Sequence, residues 1–197
     1  MAFNKQVDDL NNNALLETLL QGNQLKRTPR TGWVQRGVPD AENVAAHTYG
    51  VSFTTLILSP TLGEPINLGK ALAMAIIHDL PEALTSDIPS PAWRHLPKNS
   101  KFAAEQSAMN EIVDDLEKDT GLLTLWEEFQ VAVTAEARLV HDADKIDLYL
   151  QALVYEQQTA NQHLQEFWLT APSFYFSQCR ILYEAIRDRR NAGRRIF

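Results

Sequence analysis

The sequence is poor in cysteine and in long apolar runs. Cys179 is its single cysteine, which excludes an internal disulfide and a zinc site built from several thiolates. We expect this thiol to be a small buried apolar group. No apolar run reaches the roughly 18 residues of a membrane-spanning helix, and residues 1–10 lack the apolar core of a secretory signal. These absences predict a cytoplasmic protein without a membrane partner.

Positive charge is also scarce. The sequence has 18 Lys and Arg against 25 Asp and Glu, so its net charge is −7. Binding to a nucleic-acid polymer needs a basic face, so such a partner is not expected. A small anionic substrate needs only a local concentration of positive charge. With 45% hydrophobic residues in 197, we expect a single domain over residues 1–197, with a core at about 10–170.

Apolar residues recur at intervals of three and four, the period of an amphipathic helix, and no stretch alternates like a strand bounded by turns. The pattern predicts an all-α bundle whose middle helices carry a site on their inward faces. An ordered loop is expected at 22–42, and Pro81 either kinks a helix or begins a new one. The predicted helices cover about 7–21, 42–58, 68–79, 100–118, 122–130, 135–158 and 173–190.

Polar groups stand at inward positions of three predicted helices: His47, the pair His78-Asp79, and Asp144. Taken singly, such a His or Asp is more often an ordinary core or surface group than a ligand. Taken together, burying them unpaired costs several kcal/mol each, and one cation compensates them all. Two imidazoles and two carboxylates suit Mn²⁺, Co²⁺, Fe²⁺, Ni²⁺ or Zn²⁺ rather than Ca²⁺.

The order of these residues resembles the H…HD…D metal motif of the HD-domain phosphohydrolase superfamily. Two longer segments resemble the HD-domain 5′-deoxynucleotidases, namely KRTPRTGWVQRGVPDAENVAAH, which ends at His47, and HDLPEALTSDIPSP, which begins at His78. The resemblance implies an HD-domain helical bundle with one divalent ion held by His47, His78, Asp79 and Asp144. It also implies release of phosphate from deoxyribonucleoside 5′-monophosphates, and a homodimer.

Two acidic residues follow the HD pair. Glu82 lies four residues after His78, so a continuous helix would place both side chains on one face. Alternatively, Glu82 favours a helix start after Pro81 through the helix dipole. The resemblance assigns to Glu82 the activation of the attacking water, and to Asp87 the binding of the deoxyribose. From its sequence alone, Asp87 could equally cap a turn.

The segment before His47 concentrates positive charge. We expect at least one of its cations to contact the substrate phosphate: Lys26, Arg27, Arg30 and Arg36. The bacterial members of the resembled family carry an Arg immediately before the Trp that matches Trp33, where this chain has Gly32. Arg30 is therefore the expected phosphate-binding cation. The resemblance places Trp33 against the substrate, although a Trp in a loop can also fill a core.

The remaining candidates have lesser expected roles. His95, His141 and His163 match no ligand position, and Asp142 points to another face of its helix than Asp144. Asp147, one turn after Asp144, is a candidate to orient a metal ligand. We expect Trp93 to pack rather than to bind substrate.

Two alternative functions stay open at this stage. One is another HD-domain chemistry, on cyclic nucleotides or alarmones or with a dinuclear iron centre. A dinuclear centre usually needs extra His ligands between the HD pair and the last Asp, and His95 fits no such position. The other alternative is a non-catalytic regulatory module that binds a nucleotide, against which the presence of Glu82 and of all the metal ligands argues.

Overall fold

A computed structural model of the protein describes residues 12–89, 92, 95–116 and 120–194. In this part of the chain the backbone is helical apart from turns, loops and one isolated bridge between Pro29 and Asn43. The prediction of an all-α bundle is therefore confirmed. No helix in these residues has both the length and the apolarity to span a membrane. Trp93 falls outside the described residues, so its packing stays a prediction.

We number the described α-helices in chain order. They are α1 Asn12–Gln24, α2 Thr31–Val34, α3 Val44–Leu58, α4 Leu68–Ile77, α5 Glu82–Thr85, α6 Ser100–Val113, α7 Leu122–Val131, α8 Ala135–Thr159 and α9 Ser177–Asn191. Short 3₁₀ helices cover Ser59–Thr61, Asp114–Leu116 and Gln162–Trp168. The long α8 lies at the centre and packs against α3, α4, α7 and α9.

Side-chain caps define where the three central helices begin. Asn43 accepts a hydrogen bond from the backbone N–H of Ala46 at the start of α3. Asn67 caps α4 and Thr134 caps α8 in the same way. Each cap satisfies a backbone donor that has no partner inside the helix, which fixes the first turn. Asn67 and Thr134 directly precede helical apolar patterns in the sequence, which predicts them as caps, whereas α3 was expected from about residue 42 and Asn43 was not predicted as its cap.

The apolar periodicity correctly indicated the inward face of α3. Val44, Val51 and Leu58 are all buried, and they repeat every seven residues along this helix. On α8, Leu139, Ala143 and Ile146 are also wholly buried. Because these two faces pack together, the polar residues beside them are carried into the interior.

Several predicted boundaries differ from the structure. Helix α4 ends at Ile77 rather than at residue 79. Of the two alternatives for Pro81, the start of a new helix is confirmed, because Pro81 is the N-cap of the separate short helix α5. Within the predicted loop 22–42, Thr31–Val34 form α2, and α6 ends at Val113 rather than near residue 118.

The last helix was expected from residue 173 but begins at Ser177. Buried Asp142 accepts hydrogen bonds from the backbone N–H groups of Tyr175 and Phe176, at 3.0 and 2.8 Å. These bonds give partners to backbone donors that directly precede α9 and that have none inside the helix. The bonds also confirm that Asp142 faces away from Asp144. Cys179, in the first turn of α9, is buried as expected.

Candidate active site

Three of the predicted metal ligands meet at one point between α3, α4 and α8. His47 projects from α3, His78 is the residue that ends α4, and Asp144 lies on α8. One ligand atom from each lies within 4.8 Å of the other two. The imidazoles of His47 and His78 are 1% and 4% exposed. We call these three residues the ligand cluster.

Asp79 borders the ligand cluster. Its Oδ2 lies 3.2 Å from Nε2 of His78 and 3.7 Å from Nε2 of His47. The same oxygen lies 3.6 Å from a guanidinium nitrogen of Arg30. All four residues expected to hold a metal are thus adjacent. That Asp79 binds the metal directly stays a prediction.

The atoms that face this point lie within ion-pair distance of one another, with Nε2 of His47 3.1 Å from Oδ1 of Asp144, but none has hydrogen-bond geometry to a partner among the described residues. They are Nε2 of His47, Nε2 of His78 and Oδ2 of Asp79, all of them buried. The opposite ring nitrogens are bonded: Nδ1 of His78 lies 2.8 Å from the carbonyl oxygen of Ala75, and Nδ1 of His47 lies 2.7 Å from Asp147. Buried polar atoms without partners are costly, and this donor set fits a divalent cation.

The charges of the cluster depend on one another. Burial and the charge of Arg30 act to lower the pKa of His47, but Asp144 and Asp147 outweigh them and raise it to about 10. Partial burial acts to raise the pKa of Asp144, but His47 and His78 hold it at about 2. In the metal-free protein, protons on imidazole therefore balance the carboxylates, and a cation would displace them.

Glu82 begins α5 close to the cluster. Its side chain is 3% exposed, and its Oε2 has no hydrogen-bond partner in the described chain. Burial, together with the negative charges of Asp79 and Asp87, raises the pKa of Glu82 to about 9. A buried carboxyl with a strongly perturbed pKa is typical of a group that exchanges protons in a reaction.

A cavity of about 220 Å³ opens beside the cluster and brings together most of the predicted substrate residues. Arg30, Trp33, Glu82 and Asp87 line it, and so do Gly32 and Arg36. Five further lining residues were not predicted from the sequence: Ile88, Pro89, Lys101, Leu148 and Phe167. Their only sequence signal is weak: Lys101 pairs with Glu105 at helical spacing, as exposed charges often do.

The cations of the segment before His47 divide into two groups. Lys26 and Arg27 are exposed and do not line the cavity. The side chain of Arg30 is 15% exposed, and its guanidinium faces Asp79. Burial opposes its charge, but Asp79, Asp144 and Asp87 raise the pKa of Arg30 above the ordinary value. Arg30 is therefore a permanent positive charge in the cavity wall.

Asp87 is tied to the same segment. Its Oδ2 accepts hydrogen bonds from the backbone N–H of Thr31 at 2.7 Å and from the Thr31 hydroxyl at 3.3 Å. The Thr31 hydroxyl lies 2.6 Å from the carbonyl oxygen of Asp87, to which it also donates. The two residues are 56 positions apart, so the bonds join the loop after α5 to the start of α2. Nothing in the sequence indicated Thr31.

Trp33 fills a core, which is one of the two roles that its sequence context allowed. The residue is 1% exposed, and its indole N–H donates to Oε1 of Glu42 at 2.9 Å. Its ring packs against Tyr155 and Phe167, so Trp33 fills a core between the loop and α8. It also forms part of the cavity wall, and contact with a substrate stays a prediction.

The other histidines lie outside the cluster. His95 and His163 are exposed. His141 stacks on Phe129, and its Nε2 lies 2.9 Å from the carbonyl oxygen of that residue. None of the three was expected to bind metal.

Comparison with known proteins places this geometry in a family. A sequence model described as HD domain matches residues 22–175. The chain belongs to the HD-domain family. The match includes the ligand cluster, Asp79 and every residue named above as lining the cavity, so the resemblance found in the sequence is confirmed.

Several named relatives extend over most of this HD-domain protein. It is 35% identical over 185 residues to the 5′-deoxynucleotidase HDDC2 of Bos taurus, covering 91% of this chain and 87% of that protein. It is 31% identical over 140 residues to the 5′-deoxynucleotidase hdd1 of Schizosaccharomyces pombe, covering 68% of each.

Solved structures show the same architecture. A conserved hypothetical protein from Pyrococcus furiosus superposes with a TM-score of 0.76 at 37% identity, covering 88% of this chain and 99% of that one. A protein titled as a predicted metal-dependent phosphohydrolase, from Magnetospirillum magnetotacticum, has a TM-score of 0.72 at 19% identity and shares the fold.

Proposed function

We propose that this protein is a metal-dependent 5′-deoxynucleotidase, which releases phosphate from deoxyribonucleoside 5′-monophosphates. The observation that carries the proposal is a buried His and Asp cluster whose unpartnered atoms adjoin a cavity containing Glu82 and Arg30. Relatives at 31–35% identity that bear the name 5′-deoxynucleotidase support the same activity. The chemistry then divides among the metal ligands, a proton acceptor and the substrate contacts.

Four side chains would hold one divalent ion: His47, His78, Asp79 and Asp144. Their mixed nitrogen and oxygen donors suit Mn²⁺, Co²⁺, Fe²⁺, Ni²⁺ or Zn²⁺. When bound, such an ion supplies a Lewis acid for the phosphoryl oxygens and lowers the pKa of a coordinated water.

Glu82 is the proposed general base. Its carboxylate would accept a proton from the attacking water and later return it to the leaving sugar oxygen. To act in this way Glu82 must be ionised, and Asp79 contributes to the raised pKa that opposes ionisation. Neutralising the charge of Asp79 by metal binding removes part of that opposition, which moves the pKa towards neutral. Burial keeps Glu82 reactive by limiting its hydration.

Arg30 is the proposed phosphate-binding cation. It lines the cavity beside Asp79, with a guanidinium nitrogen 3.6 Å from Oδ2 of that residue, and its charge is permanent. A fixed guanidinium stabilises the negative charge that develops on the phosphoryl oxygens during transfer. Arg36 and Lys101 also line the cavity, and each is paired with a carboxylate, Arg36 with Glu166 and Lys101 with Glu105. Arg30 therefore supplies the local positive charge that an acidic protein needs for an anionic substrate.

Asp87 is the proposed sugar contact. Its carboxylate lines the cavity and is held by Thr31. In that position it can accept a hydrogen bond from the 3′ hydroxyl, and we infer that the residues beside it exclude a 2′ hydroxyl. The preference for deoxyribose would therefore come from the junction of two loops.

A phosphate-release screen tests this proposal. Metal-stripped protein is supplied with Mn²⁺ or Co²⁺ and with each deoxyribonucleoside and ribonucleoside 5′-monophosphate. We expect faster release from the deoxyribonucleotides. Nucleotide binding without phosphate release would indicate a regulatory module instead, and equal rates would remove the role of Asp87. A cytoplasmic location and a homodimer stay predictions, which localisation and sedimentation measurements would test.

A further inference from the structure

The two ring nitrogens of His47 serve different neighbours. Nε2 faces the ligand cluster, where it has no hydrogen-bond partner among the described residues. Nδ1 lies 2.7 Å from Oδ2 of Asp147. Asp147 is 15% exposed and lies one turn after Asp144, so α8 presents a carboxylate to each side of the same imidazole.

Gly50 makes room for Asp147. It lies on α3 one turn after His47, and a Cβ added there would be only 2.6 Å from Cγ of Asp147 and closer still to Oδ1. All eight glycines lie in the described residues, and at the other seven an added Cβ meets nothing nearer than 3.6 Å. Because the backbone of Gly50 is helical and its φ is not positive, close approach rather than backbone freedom explains the glycine.

We propose that Gly50 and Asp147 are positioning residues for the metal site, acting through His47. Gly50 leaves the space in which the Asp147 carboxylate sits, and that carboxylate accepts a hydrogen bond from the Nδ1–H of His47. With the proton fixed on Nδ1, the lone pair of Nε2 points into the ligand cluster. This inference rests on the metal site of the proposed function and does not depend on the substrate.

A second metal site is the competing interpretation of the same atoms. Carboxylate oxygens of Glu42 and Asp147 also lie within 4.8 Å of a His47 ring nitrogen. However, a neutral imidazole has one ring lone pair, and His47 cannot offer it to two ions. The Glu42 carboxylate already accepts the indole N–H of Trp33. The contacts therefore support one ion per chain, with Asp147 in a supporting position.

The first test changes the hydrogen bond while preserving the shape of the side chain. The amide of Asp147→Asn can donate to Nδ1 of His47, which favours a proton on Nε2 and removes the lone pair from the cluster. We expect about 10- to 100-fold weaker Co²⁺ binding, measured by absorption titration of metal-stripped protein. The metal-free variant should keep the helical circular dichroism of the wild type and still bind one Co²⁺ ion at saturation, which distinguishes lost positioning from a lost fold. Its thermal midpoint should fall modestly, because Asp147 also stabilises the protonated imidazole of His47. Unchanged Co²⁺ affinity would overturn the proposal.

The second test asks whether Gly50 acts through Asp147. Gly50→Ala should weaken Co²⁺ binding in the wild-type background and add almost nothing in an Asp147→Ala background, where the added methyl finds space. Gly69→Ala is the matched control, because its Cβ in α4 would make only an ordinary 3.6 Å contact. Equal losses in both backgrounds, or two Co²⁺ ions per chain, would contradict the inference.

The titration also separates this inference from the proposed function. Wild-type protein that binds one Co²⁺ ion but releases no phosphate would refute the nucleotidase activity and leave the positioning test valid. Wild-type protein that binds no ion would overturn both.

Discussion

The two sides of the cavity are built in different ways. The ligand cluster projects from or next to α3, α4 and α8, whose faces are packed in one core. The other side, which includes Arg30 and Asp87, belongs to the cap of a four-residue helix and to a loop, and hydrogen bonds from Thr31 to Asp87 join the two across 56 positions. Packed helices hold a ligand set to the precision that a metal requires, whereas loops more readily admit and select a substrate.

The polar atoms of the two sides also differ in how they are satisfied. On the side of Arg30 and Asp87, the carboxylate of Asp87 has partners within the protein. Its Oδ2 accepts hydrogen bonds from both the backbone N–H and the hydroxyl of Thr31. The cluster instead keeps buried atoms of His47, His78 and Asp79 without hydrogen-bond partners among the described residues. Such groups lower the stability of the metal-free protein, and function explains their retention. Variants on the two sides should therefore fail in different ways.

The largest effect is expected from breaking the cluster itself. His78→Ala removes one imidazole of the set, so metal binding and phosphate release should both fall to background. Elemental analysis of purified protein and a phosphate-release assay measure the two losses. His163→Ala, at an exposed position outside the cluster, is the control and should change neither. Full metal occupancy in His78→Ala would refute the ligand assignment.

Glu82→Gln separates chemistry from metal binding. The amide cannot accept a proton from water, so kcat should fall by about 10²- to 10⁴-fold. Metal content should stay at the wild-type value, because Glu82 is not assigned as a ligand. A variant with unchanged kcat would show that the base lies elsewhere.

Arg30→Ala tests the other side of the cavity. Loss of the guanidinium should lower kcat/KM by about 10²-fold, since one fixed charge-stabilising group is removed. Metal affinity should not weaken, because the substitution removes a positive charge 3.6 Å from Asp79. Arg27→Ala, which is exposed on the same segment, is the matched control. If Arg27→Ala lost as much activity as Arg30→Ala, the positive charge of the segment as a whole would be responsible.

A smaller effect is expected at Thr31. Thr31→Val removes the hydroxyl that bonds Asp87, a loss of about 1 kcal/mol per hydrogen bond. The deoxyribonucleotide KM should rise about 3- to 10-fold, and discrimination against ribonucleotides should weaken, while kcat changes little. Thr31→Ser keeps the hydroxyl and should restore both quantities. A valine variant with wild-type discrimination would separate Asp87 from sugar selection.

The smallest effect concerns the stability of the metal-free protein against pH. Folding raises the pKa of Glu82 from 4.5 to about 9, so the folded chain holds this proton more tightly than the unfolded chain. Stability from this group is therefore lost as pH rises between these two values. The raised pKa of His47 has the same effect: the stability that this group contributes is lost as the pH rises from 6.5 towards about 10.

Thermal denaturation of metal-free protein between neutral pH and pH about 9 measures this dependence. The midpoint should fall with pH in the wild type and fall less steeply in Glu82→Gln, which lacks the titrating carboxyl. Parallel slopes would show that the cluster, rather than Glu82, controls the pH dependence.

Local order explains which features could be predicted from the sequence. The apolar period of α3 and α8, the caps Asn67 and Thr134, and the order of His and Asp residues all depend on near neighbours. These features determined the helical class and the family, and they identified residues that proved to be adjacent. The later start of α9 was missed, and the bonds that hold the segment before it go to the distant residue Asp142, which local sequence does not reveal.

The tertiary structure alone decided how the predicted residues are joined. The bond from Thr31 to Asp87, the burial of Trp33 against α8 and the fit of Asp147 over Gly50 all link segments distant in the chain. The raised pKa of Glu82 likewise arises from burial and from neighbouring charges. Sequence spacing determines which side of a helix a residue faces, but helix packing determines which groups it contacts there. Desolvation and charge–charge interactions depend on the distances to those groups, so only the tertiary structure sets them.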